Sequence, residues 1–445
     1  MDIAWRLLGA VLLAGAPLLA GAQGPARRAL EAASQRVRAW WPAQADSALA
    51  LYRELHQNPE LAFQERRTAA RLSAVLRRAG LEVHEGIGQT GIVGVLRNGQ
   101  GPVILVRTDL DGLPVEEQTG LPYASRARAE RSDGSVVPTM HACGHDVHMA
   151  TWVATARFLA AHRDLWRGTI LFVGQPAEEI GAGAAAMLAD GFYERFPRPE
   201  AALALHVDPN LPVGTVGYVL GPAFAHVNSV DVTIYGLGGH GAAPHKAVDP
   251  IVLAAEYVLL LQTIRSRMLD PMEPAVVTVG FIRGGTQHNI IPDRVELGLT
   301  IRTYSASARE QIFEALRRLG RGLAEAYGLP PERYPKVTIS PTETPSTVNT
   351  PELTRRIVEA WRQVWPSDRI QERRPETVGE DFGRFGMVSP PIPTFMFRLG
   401  TTPQEAFARG DLPSLHSPFY APDAQGAIPV GLEAMVLAIV SLAGR

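Results

Sequence analysis

The stretch Val103-Ile104-Leu105-Val106, followed closely by Asp109 and Asp111, is the part of the sequence that decides the fold. Four aliphatic residues in succession predict a strand buried on both faces, because a half-exposed strand would alternate apolar and polar residues. Further strands are predicted on either side of this run, at residues 81–84, 91–96, 169–173, 202–207 and 394–399.

Helical patterns separate these strands. Apolar residues recur at helical spacing over residues 45–79, where Gly80 fits the position just past a helix end, and a second helix is predicted over residues 147–162. Helix and strand alternate again from residue 350 onward. Strands that alternate with helices predict an α/β domain whose sheet is covered on both faces.

The order of the predicted strands and helices changes after Gly221. Strand and helix patterns then follow in the order β-α-β-β-α-β, which is typical of a ferredoxin-like α+β unit; they lie at residues 227–235, 250–268, 276–282, 294–302, 307–327 and 336–340. The stretch from Pro341 to Pro345 is interpreted as the return connection. The sequence therefore predicts an α/β domain, residues 45–221 and 345–445, interrupted by a smaller domain at residues 223–341.

Length and composition limit the class of protein. A chain of 445 residues is long enough for two domains. Its 43 basic and 45 acidic residues give a formal net charge of −2 without a basic patch, so no nucleic-acid partner is expected. With one cysteine, Cys143, the chain forms no intramolecular disulfide.

The N-terminus resembles an export signal. Arg6 precedes an apolar run over residues 7–19, and Ala20-Gly21-Ala22 offers a cleavage site. The run is shorter than the roughly 20 residues that span a bilayer, so a cleaved signal at residues 1–22 is predicted rather than an anchor. No later segment is expected to span a membrane. The mature protein is predicted to be periplasmic or secreted, and Cys143 to be protected there by burial or by a metal.

The strongest chemical signal is the stretch His141-Ala142-Cys143-Gly144-His145-Asp146-Val147-His148. Cysteine and histidine are ligands that zinc and related metals prefer. Because the only cysteine lies here, any further ligands must be histidines or carboxylates from distant segments, which is typical of an open, catalytic site. The alternative is a histidine-rich loop with a buried thiol.

Other candidate residues follow predicted strands, where sites in α/β sheets form. Asp109 and Asp111 follow one strand, and Glu178 and Glu179 follow another; His206 ends a third, and His416 lies in a loop near the C-terminus. Neighbouring residues rarely point the same way. One of the two glutamates can therefore bind metal while the other acts as general acid and base.

Eight ordered motifs carry a resemblance to a known family, at residues 107–114, 141–146, 175–179, 238–245, 289–293, 301–302, 380–382 and 415–417. The chain resembles the M20 metallopeptidase family, in particular the amidohydrolase branch that includes hippurate hydrolases, aminoacylases and plant auxin-conjugate hydrolases. The resemblance implies a mixed-sheet α/β catalytic domain with an inserted lid and dimerisation domain. It also implies two divalent metal ions, with zinc preferred and manganese, cobalt or nickel as alternatives.

The resemblance assigns roles around the metals. Cys143 would bridge the two ions, with His145 and Glu179 on one and His206 and His416 on the other. Glu178 would be the general base, and Asp111 the carboxylate that orients a ligand.

The inserted domain supplies the residues expected to contact substrate. His240 would reach across a homodimer and stabilise the oxyanion in the partner's site. Arg302 and Asn289 would hold a substrate carboxylate. The long polar stretch at residues 126–138 is expected to reshape the rim of the pocket.

The implied activity is hydrolysis of the amide bond of N-acyl amino acids. A carboxypeptidase or dipeptidase could use the same machinery, and a catalytically silent metal-binding relative remains a further alternative. Cys143 could instead be a thiol nucleophile with a histidine base, but that hypothesis leaves Glu178, Glu179, His206 and His416 without a role.

Overall fold

The structure is a computed structural model that describes residues 24–444. The predicted export signal at residues 1–22 lies outside the described residues and stays a prediction.

The described chain alternates strands and helices for most of its length. The strands are β1 Glu82–Ile87, β2 Gly91–Asn98, β3 Val103–Asp109, β4 Arg128–Glu130, β5 Val136–Pro138, β6 Gly168–Gln175, β7 Ala201–Pro212, β8 Val216–Tyr218, β9 Gly221–Pro222, β10 His226–Tyr235, β11 Gly239–His240, β12 Ala275–Gly284, β13 Ile290–Ile291, β14 Arg294–Thr303, β15 Lys336–Thr344, β16 Val348–Asn349, β17 Ile370–Glu372 and β18 Thr394–Thr402. The helices are α1 Gly24–Trp40, α2 Ala45–His56, α3 Arg66–Arg78, α4 His145–Ala161, α5 Gly183–Ala189, α6 Phe192–Arg195, α7 Pro250–Thr263, α8 Ala306–Ala326, α9 Pro351–Arg362, α10 Gln404–Arg409 and α11 Ala424–Ala443.

The larger sheet has eight strands in the order β1-β2-β6-β3-β7-β18-β8-β17. Its centre, β6-β3-β7-β18, is parallel, whereas β1, β2 and β8 add antiparallel pairings. The predicted mixed-sheet α/β fold is therefore confirmed. Because the carboxyl ends of the four parallel strands meet at one edge, the residues that follow them come together there.

Both faces of this sheet are buried. Along β3, Ile104 and Val106 pack into the core beneath α4 and α11, while Leu105 packs into a second core on the opposite face with Phe382 and Phe385. Every side chain of the run therefore has an apolar environment, which explains its unbroken apolar composition.

Helix α11 corrects the expectation that no later segment could span a membrane. It has 20 residues and a mean hydropathy of 2.0, enough in length and composition to cross a bilayer. Of the most apolar 18-residue stretch of α11, 72% is buried inside the protein. Helix α11 packs against α1, α4 and α9. Its composition therefore fits a core helix that is apolar on all sides.

The smaller sheet has four antiparallel strands in the order β12-β14-β10-β15. Helices α7 and α8 cover one face, where Val230, Leu297 and Leu299 join their core. We call this unit the lid domain. Side chains alternate along each strand, so the residues between these core positions lie on the opposite face of the sheet. That face is directed toward the larger domain.

Two helical predictions need correction. The pattern over residues 45–79 forms two helices, α2 and α3, because Pro59 lacks an N–H donor and disfavours helix in the residue before it. Helix α1 was missed, although Leu30, Ala33 and Val37 have helical spacing and lie in the same core as α11. The catalytic domain therefore includes residues before its predicted start at residue 45.

The end of the lid domain also differs from the prediction. Residues 341–344 belong to β15, and Thr344 pairs with Val227 of β10. Pro341 is tolerated because β15 is an edge strand and the pairing register shifts between Asn228 and Val230. The polar stretch at residues 126–138 forms the hairpin of β4 and β5.

Candidate metal centre and active site

Cys143 and His145 lie at the turn that begins α4. Gly144 between them has a left-handed backbone (φ +71°), and a Cβ there would lie 2.7 Å from the Val207 side chain. Only glycine fits this conformation and this close approach. His145 Nδ1 donates to the carbonyl oxygen of Asp111 at 2.8 Å, so its Nε2 carries the lone pair that faces the site.

His206 lies inside β7, which continues past the predicted strand end to Pro212. Its Nδ1 donates to the carbonyl oxygen of Val207 at 2.8 Å, and its Nε2 lies 3.5 Å from Cys143 Sγ. Like His145, it is held in the tautomer that leaves Nε2 available as a ligand atom.

The loop after β6 presents Glu178 and Glu179. The carboxylate of Asp111 accepts the backbone N–H groups of both, at 3.1 and 3.0 Å. Ala177, just before them, has φ +50°, and its N–H donates to Glu65 Oε1 at 2.8 Å. A left-handed alanine is strained and persists where its surroundings fix it, which is typical of functional loops.

His416 also has a left-handed backbone, at φ +66°. Its N–H donates to the carbonyl oxygen of Ala142 at 2.9 Å, which ties its loop to the Cys143 turn. Its Nε2 lies 3.4 Å from Glu179 Oε2. The side chain is 54% exposed, so this part of the site opens to solvent.

The five predicted ligands form two groups that share Cys143. Cys143, His145 and His206 form one, and Cys143, Glu179 and His416 form the other; within each, the ligand atoms lie within 4.8 Å of one another. The predicted pairing of His145 with Glu179 also has a counterpart, because these two residues form a further group with Glu178, His145 Nε2 lying 3.8 Å from Glu179 Oε1. The assignment of ligands to each ion therefore stays a prediction. The position of Cys143 between the groups agrees with a bridging role.

The residues present fit a pair of metal ions. His145 Nε2 and Glu179 Oε1 are buried without a hydrogen-bond partner among residues 24–444. Burial, with the charges of Glu179 and Glu178, raises the pKa of the Cys143 thiol, and burial raises the pKa of Glu179. Divalent cations would bond the unpartnered atoms and favour thiolate and carboxylate.

A fully bonded cluster supports these ligands from behind. His148 Nδ1 donates to Asp109 Oδ1 at 2.6 Å, and its Nε2 accepts the N–H of Val207, so neither nitrogen is available to a metal. Arg107 donates to Asp109, and it also pairs with Glu380 and Asp381. The sequence motifs contained these residues, but their positioning role was not predicted.

Glu178 faces a cavity of about 660 Å³ between the two domains. Burial, together with the charges of Glu380 and Glu179, raises the pKa of its carboxyl. Its Oε2 lies 3.8 Å from His145 Nε2, beside the space that the two ligand groups surround. Glu178 is therefore positioned to exchange a proton with a molecule held there.

Arg302 lines the same cavity from the open face of the lid sheet. It belongs to a row of paired residues across that sheet, Val276, Arg302, Val227 and Thr344, all of which line the cavity. Arg302 makes no ion pair among the described residues, and burial lowers its pKa. An unpaired, half-buried guanidinium suits a ligand carboxylate.

His240 and Asn289 lie apart from this cavity. They are neighbours on the ribbon of β11 and β13, where the N–H of Gly241 donates to the carbonyl oxygen of Asn289. His240 is exposed, and neither residue lines the cavity around Glu178. Within one chain, the structure brings together all the predicted site residues except these two.

Comparison with known proteins identifies the family. The model of peptidase family M20/M25/M40 matches residues 105–440, which contain all the site residues predicted from the sequence. The chain belongs to peptidase family M20/M25/M40. The match confirms the resemblance to M20 peptidases and the hydrolase class predicted from the sequence.

Three M20 relatives are amide hydrolases by description. An N-acetylcysteine deacetylase of Bacillus subtilis is 39% identical over 279 residues, 62% of this chain and 70% of the relative. An N-acetyldiaminopimelate deacetylase of Limosilactobacillus fermentum is 35% identical over 395 residues, 86% and 93% of the two chains. A thermostable carboxypeptidase of Saccharolobus solfataricus is 33% identical over 360 residues, 80% and 86%.

A solved structure shares the fold. It is a peptidase of the M20 family from Bacillus subtilis, described as binding a dinuclear metal centre. The TM-score is 0.74 at 31% identity, with 90% of this chain and 99% of that chain covered. This M20 neighbour and the two ligand groups agree on a metal-binding site.

Proposed function

We propose that this protein hydrolyses the amide bond of N-acyl amino acids. The observation that carries the proposal is the arrangement of two ligand groups around Cys143 with Glu178 beside them and Arg302 across the same cavity. Ligands alone would serve a metal carrier. Hydrolysis requires in addition a buried carboxyl next to those ligands, and Glu178 supplies one that makes no side-chain hydrogen bond among residues 24–444.

Glu178 supplies the proton transfers. Its carboxylate takes a proton from the attacking water as the water oxygen bonds to the scissile carbonyl carbon. It then gives that proton to the amine nitrogen as the carbon–nitrogen bond breaks, which releases a carboxylate and an amino acid. Asp111 keeps the Glu178–Glu179 loop and His145 in position through its bonds to both.

Cys143, His145 and His206 would hold one ion, and Cys143, Glu179 and His416 the other. Two divalent ions bound there, zinc or else manganese, cobalt or nickel, would polarise the scissile carbonyl and lower the pKa of the attacking water. Arg302 would bind the carboxylate next to the scissile amide and so select amino acid derivatives.

We also propose that the active protein is a homodimer formed through the lid domain. Strand β12 is an unpaired sheet edge that exposes Phe281 and Ile282, at 39% and 53%. An exposed apolar edge is a template for pairing with a second copy. His240 and Asn289 do not line the cavity around Glu178 of their own chain, and in such a dimer they would complete the partner's site.

The test is hydrolysis of hippurate, N-acetyl amino acids and dipeptides by the purified protein, before and after chelation. We expect turnover that is lost on chelation and returns with added zinc or manganese. Turnover that persists in chelator would contradict the proposal and return attention to the Cys143 thiol. A protein that binds metal but hydrolyses none of the amides would be a silent relative.

The same panel ranks the alternative activity. A carboxypeptidase is 33% identical over 80% of this chain, so hydrolysis of dipeptides is the second candidate. Higher kcat/KM on dipeptides than on acetylated amino acids would favour it.

Export through the signal at residues 1–22 is proposed from the sequence. Mass spectrometry of the protein secreted or released from the periplasm tests it, and the mature chain is expected to begin near Gln23.

A further inference from the structure

Arg398 is a charged residue in the buried strand β18. It pairs in register with His206 of β7, and its side chain is only 6% exposed. The guanidinium lies over the ring of Phe224, 4.2 Å from the centroid, and its NH2 lies 2.7 Å from Glu376 Oε2. Arg398 and Glu376 both line the cavity that contains Glu178.

Arg398 differs from the other buried arginine of the site. Arg107 is surrounded by acceptors, Gln175, Asp109, Glu380 and Asp381, so its role is structural. Arg398 has one acidic partner among the described residues, and that partner, Glu376, is itself 39% exposed. Because Arg398 lines the cavity and has no second acidic partner among residues 24–444, its remaining N–H groups are available to a ligand there.

The two charges together define the group that would bind. A lone carboxylate approaching Arg398 would meet the negative charge of Glu376, and a lone ammonium approaching Glu376 would meet the positive charge of Arg398. A group that carries an ammonium and a carboxylate on one carbon can pair with both at once. An amino acid head group has this arrangement.

We propose that Arg398 and Glu376 form a subsite for a zwitterionic α-amino acid group at the far end of the substrate. The inference rests on the proposed amide hydrolysis and makes its substrate class more specific. Arg302 would hold the carboxylate next to the scissile amide, and Arg398 with Glu376 would hold a second amino acid head. A cavity of about 660 Å³ has room for both.

The head group can belong to either half of the substrate. In an N-acyl diamino dicarboxylic acid it ends the side chain of the amine half, whereas in a γ-glutamyl amide it belongs to the acyl half. Both present the same ammonium and carboxylate. Substrates of each kind separate the two sources.

The experiment compares kcat/KM for compounds that differ in whether an ammonium, a carboxylate, both or neither stands at the far end. N-acetyl-2,6-diaminopimelate has both charges, N-acetyl-2-aminopimelate only the carboxylate, N-acetyl-lysine only the ammonium, and N-acetyl-2-aminoheptanoate neither. γ-Glutamylalanine, glutarylalanine and 4-aminobutanoylalanine form the matching set for the acyl half. We expect the doubly charged member of one set to exceed its relatives by about tenfold or more.

The variants assign that preference to the pair. Arg398→Gln is expected to remove the advantage of the carboxylate, and Glu376→Gln the advantage of the ammonium. Arg374→Gln is the matched control, because Arg374 is exposed on the same segment and does not line the cavity. Calorimetric binding of the same compounds to the metal-loaded Glu178→Gln protein measures recognition without turnover.

Equal kcat/KM across both sets, or equal losses on all members in both variants, would overturn the subsite. An effect of Arg398→Gln without any effect of Glu376→Gln would also overturn it, because the carboxylate alone would then be recognised. Failure of the proposed hydrolysis has a different signature. In that case no compound is turned over, while calorimetry still shows whether the zwitterion is preferred.

Discussion

At the scale of single residues, the reactivity of the Cys143 thiol shows whether this residue is a metal ligand or a nucleophile. Its Sγ belongs to both ligand groups, and the residue is only 6% exposed. Bound divalent cations would draw electron density from the thiolate and lower its nucleophilicity, so this buried sulfur should react slowly with an alkylating reagent.

We therefore expect alkylation of Cys143 to be at least about tenfold slower in the metal-loaded than in the metal-free protein. Mass spectrometry over time measures the rate. Because the chain has one cysteine, unfolded protein should take up one label and serves as the control. Equal rates with and without metal would instead favour the nucleophile hypothesis.

The motif around Cys143 and the residues after strands supplied candidate ligands, and the resemblance to M20 metallopeptidases selected five of them. The structure brings these five side chains together. Their grouping depends on where β6, β7 and the His416 loop meet in space, which spacing along the chain does not contain. Arg398 could have been identified from the sequence, because it is the single charged residue within the apolar run at residues 394–399.

At the scale of elements, a buried charge joins α2 to α4. His56, the last residue of α2, lies between Asp146 of α4 at 2.6 Å and Glu117 at 3.1 Å. Burial by itself lowers the pKa of His56, but the hydrogen bonds to Asp146 and Glu117 raise it to about 10. The protonated ring therefore holds the start of α4, next to His145.

The raised pKa of His56 determines how its contribution to the free energy of unfolding changes with pH. Because the pKa of folded His56 lies above its unfolded value, its stabilisation is complete below about pH 6.5 and is lost as the pH rises toward 10. His56→Gln should lower the free energy of unfolding by about 2–3 kcal/mol at pH 6, and by less at pH 10.

Urea unfolding at pH 6, 8 and 10 measures this difference. His84→Gln is the control, because His84 is a partly exposed histidine that also pairs with an acidic residue, Glu82 of β1. If His56→Gln lowers the free energy of unfolding by the same amount at all three pH values, the positive charge assigned to His56 is contradicted.

Elements were predictable where burial dominates composition. The central strands are apolar on both faces, so the sequence alone indicates them. The ends were less predictable: β7 and β15 extend into polar residues because neighbouring strands provide hydrogen-bond partners there. The break between α2 and α3 was available from Pro59, and α1 from the spacing of its buried residues.

At the scale of the whole molecule, we predict that two copies of the chain share their active sites. A mixture of Glu178→Gln and His240→Ala chains should recover activity that neither variant has alone. In a mixed dimer, one site combines an intact Glu178 with the partner's intact His240. Random pairing restores about a quarter of the sites.

Mixing the variants after dissociation, followed by assay and light scattering, tests this arrangement. Mixing the double variant with the original chain is the control, because each of the two sites in such a mixed dimer lacks one group. Activity should then fall to about half on mixing rather than recover. Absence of recovery in mixed dimers would mean that His240 acts within its own chain or not at all.

The most direct test of the central claim is the activity and metal content of Glu178→Gln, measured on one preparation. The amide keeps the size of Glu178 but cannot accept the proton of the attacking water. We predict a loss in kcat of about 10²–10⁴ with metal content unchanged, because we propose Glu178 as a general base rather than a ligand. Activity near that of the original protein, with its metal retained, would contradict the account.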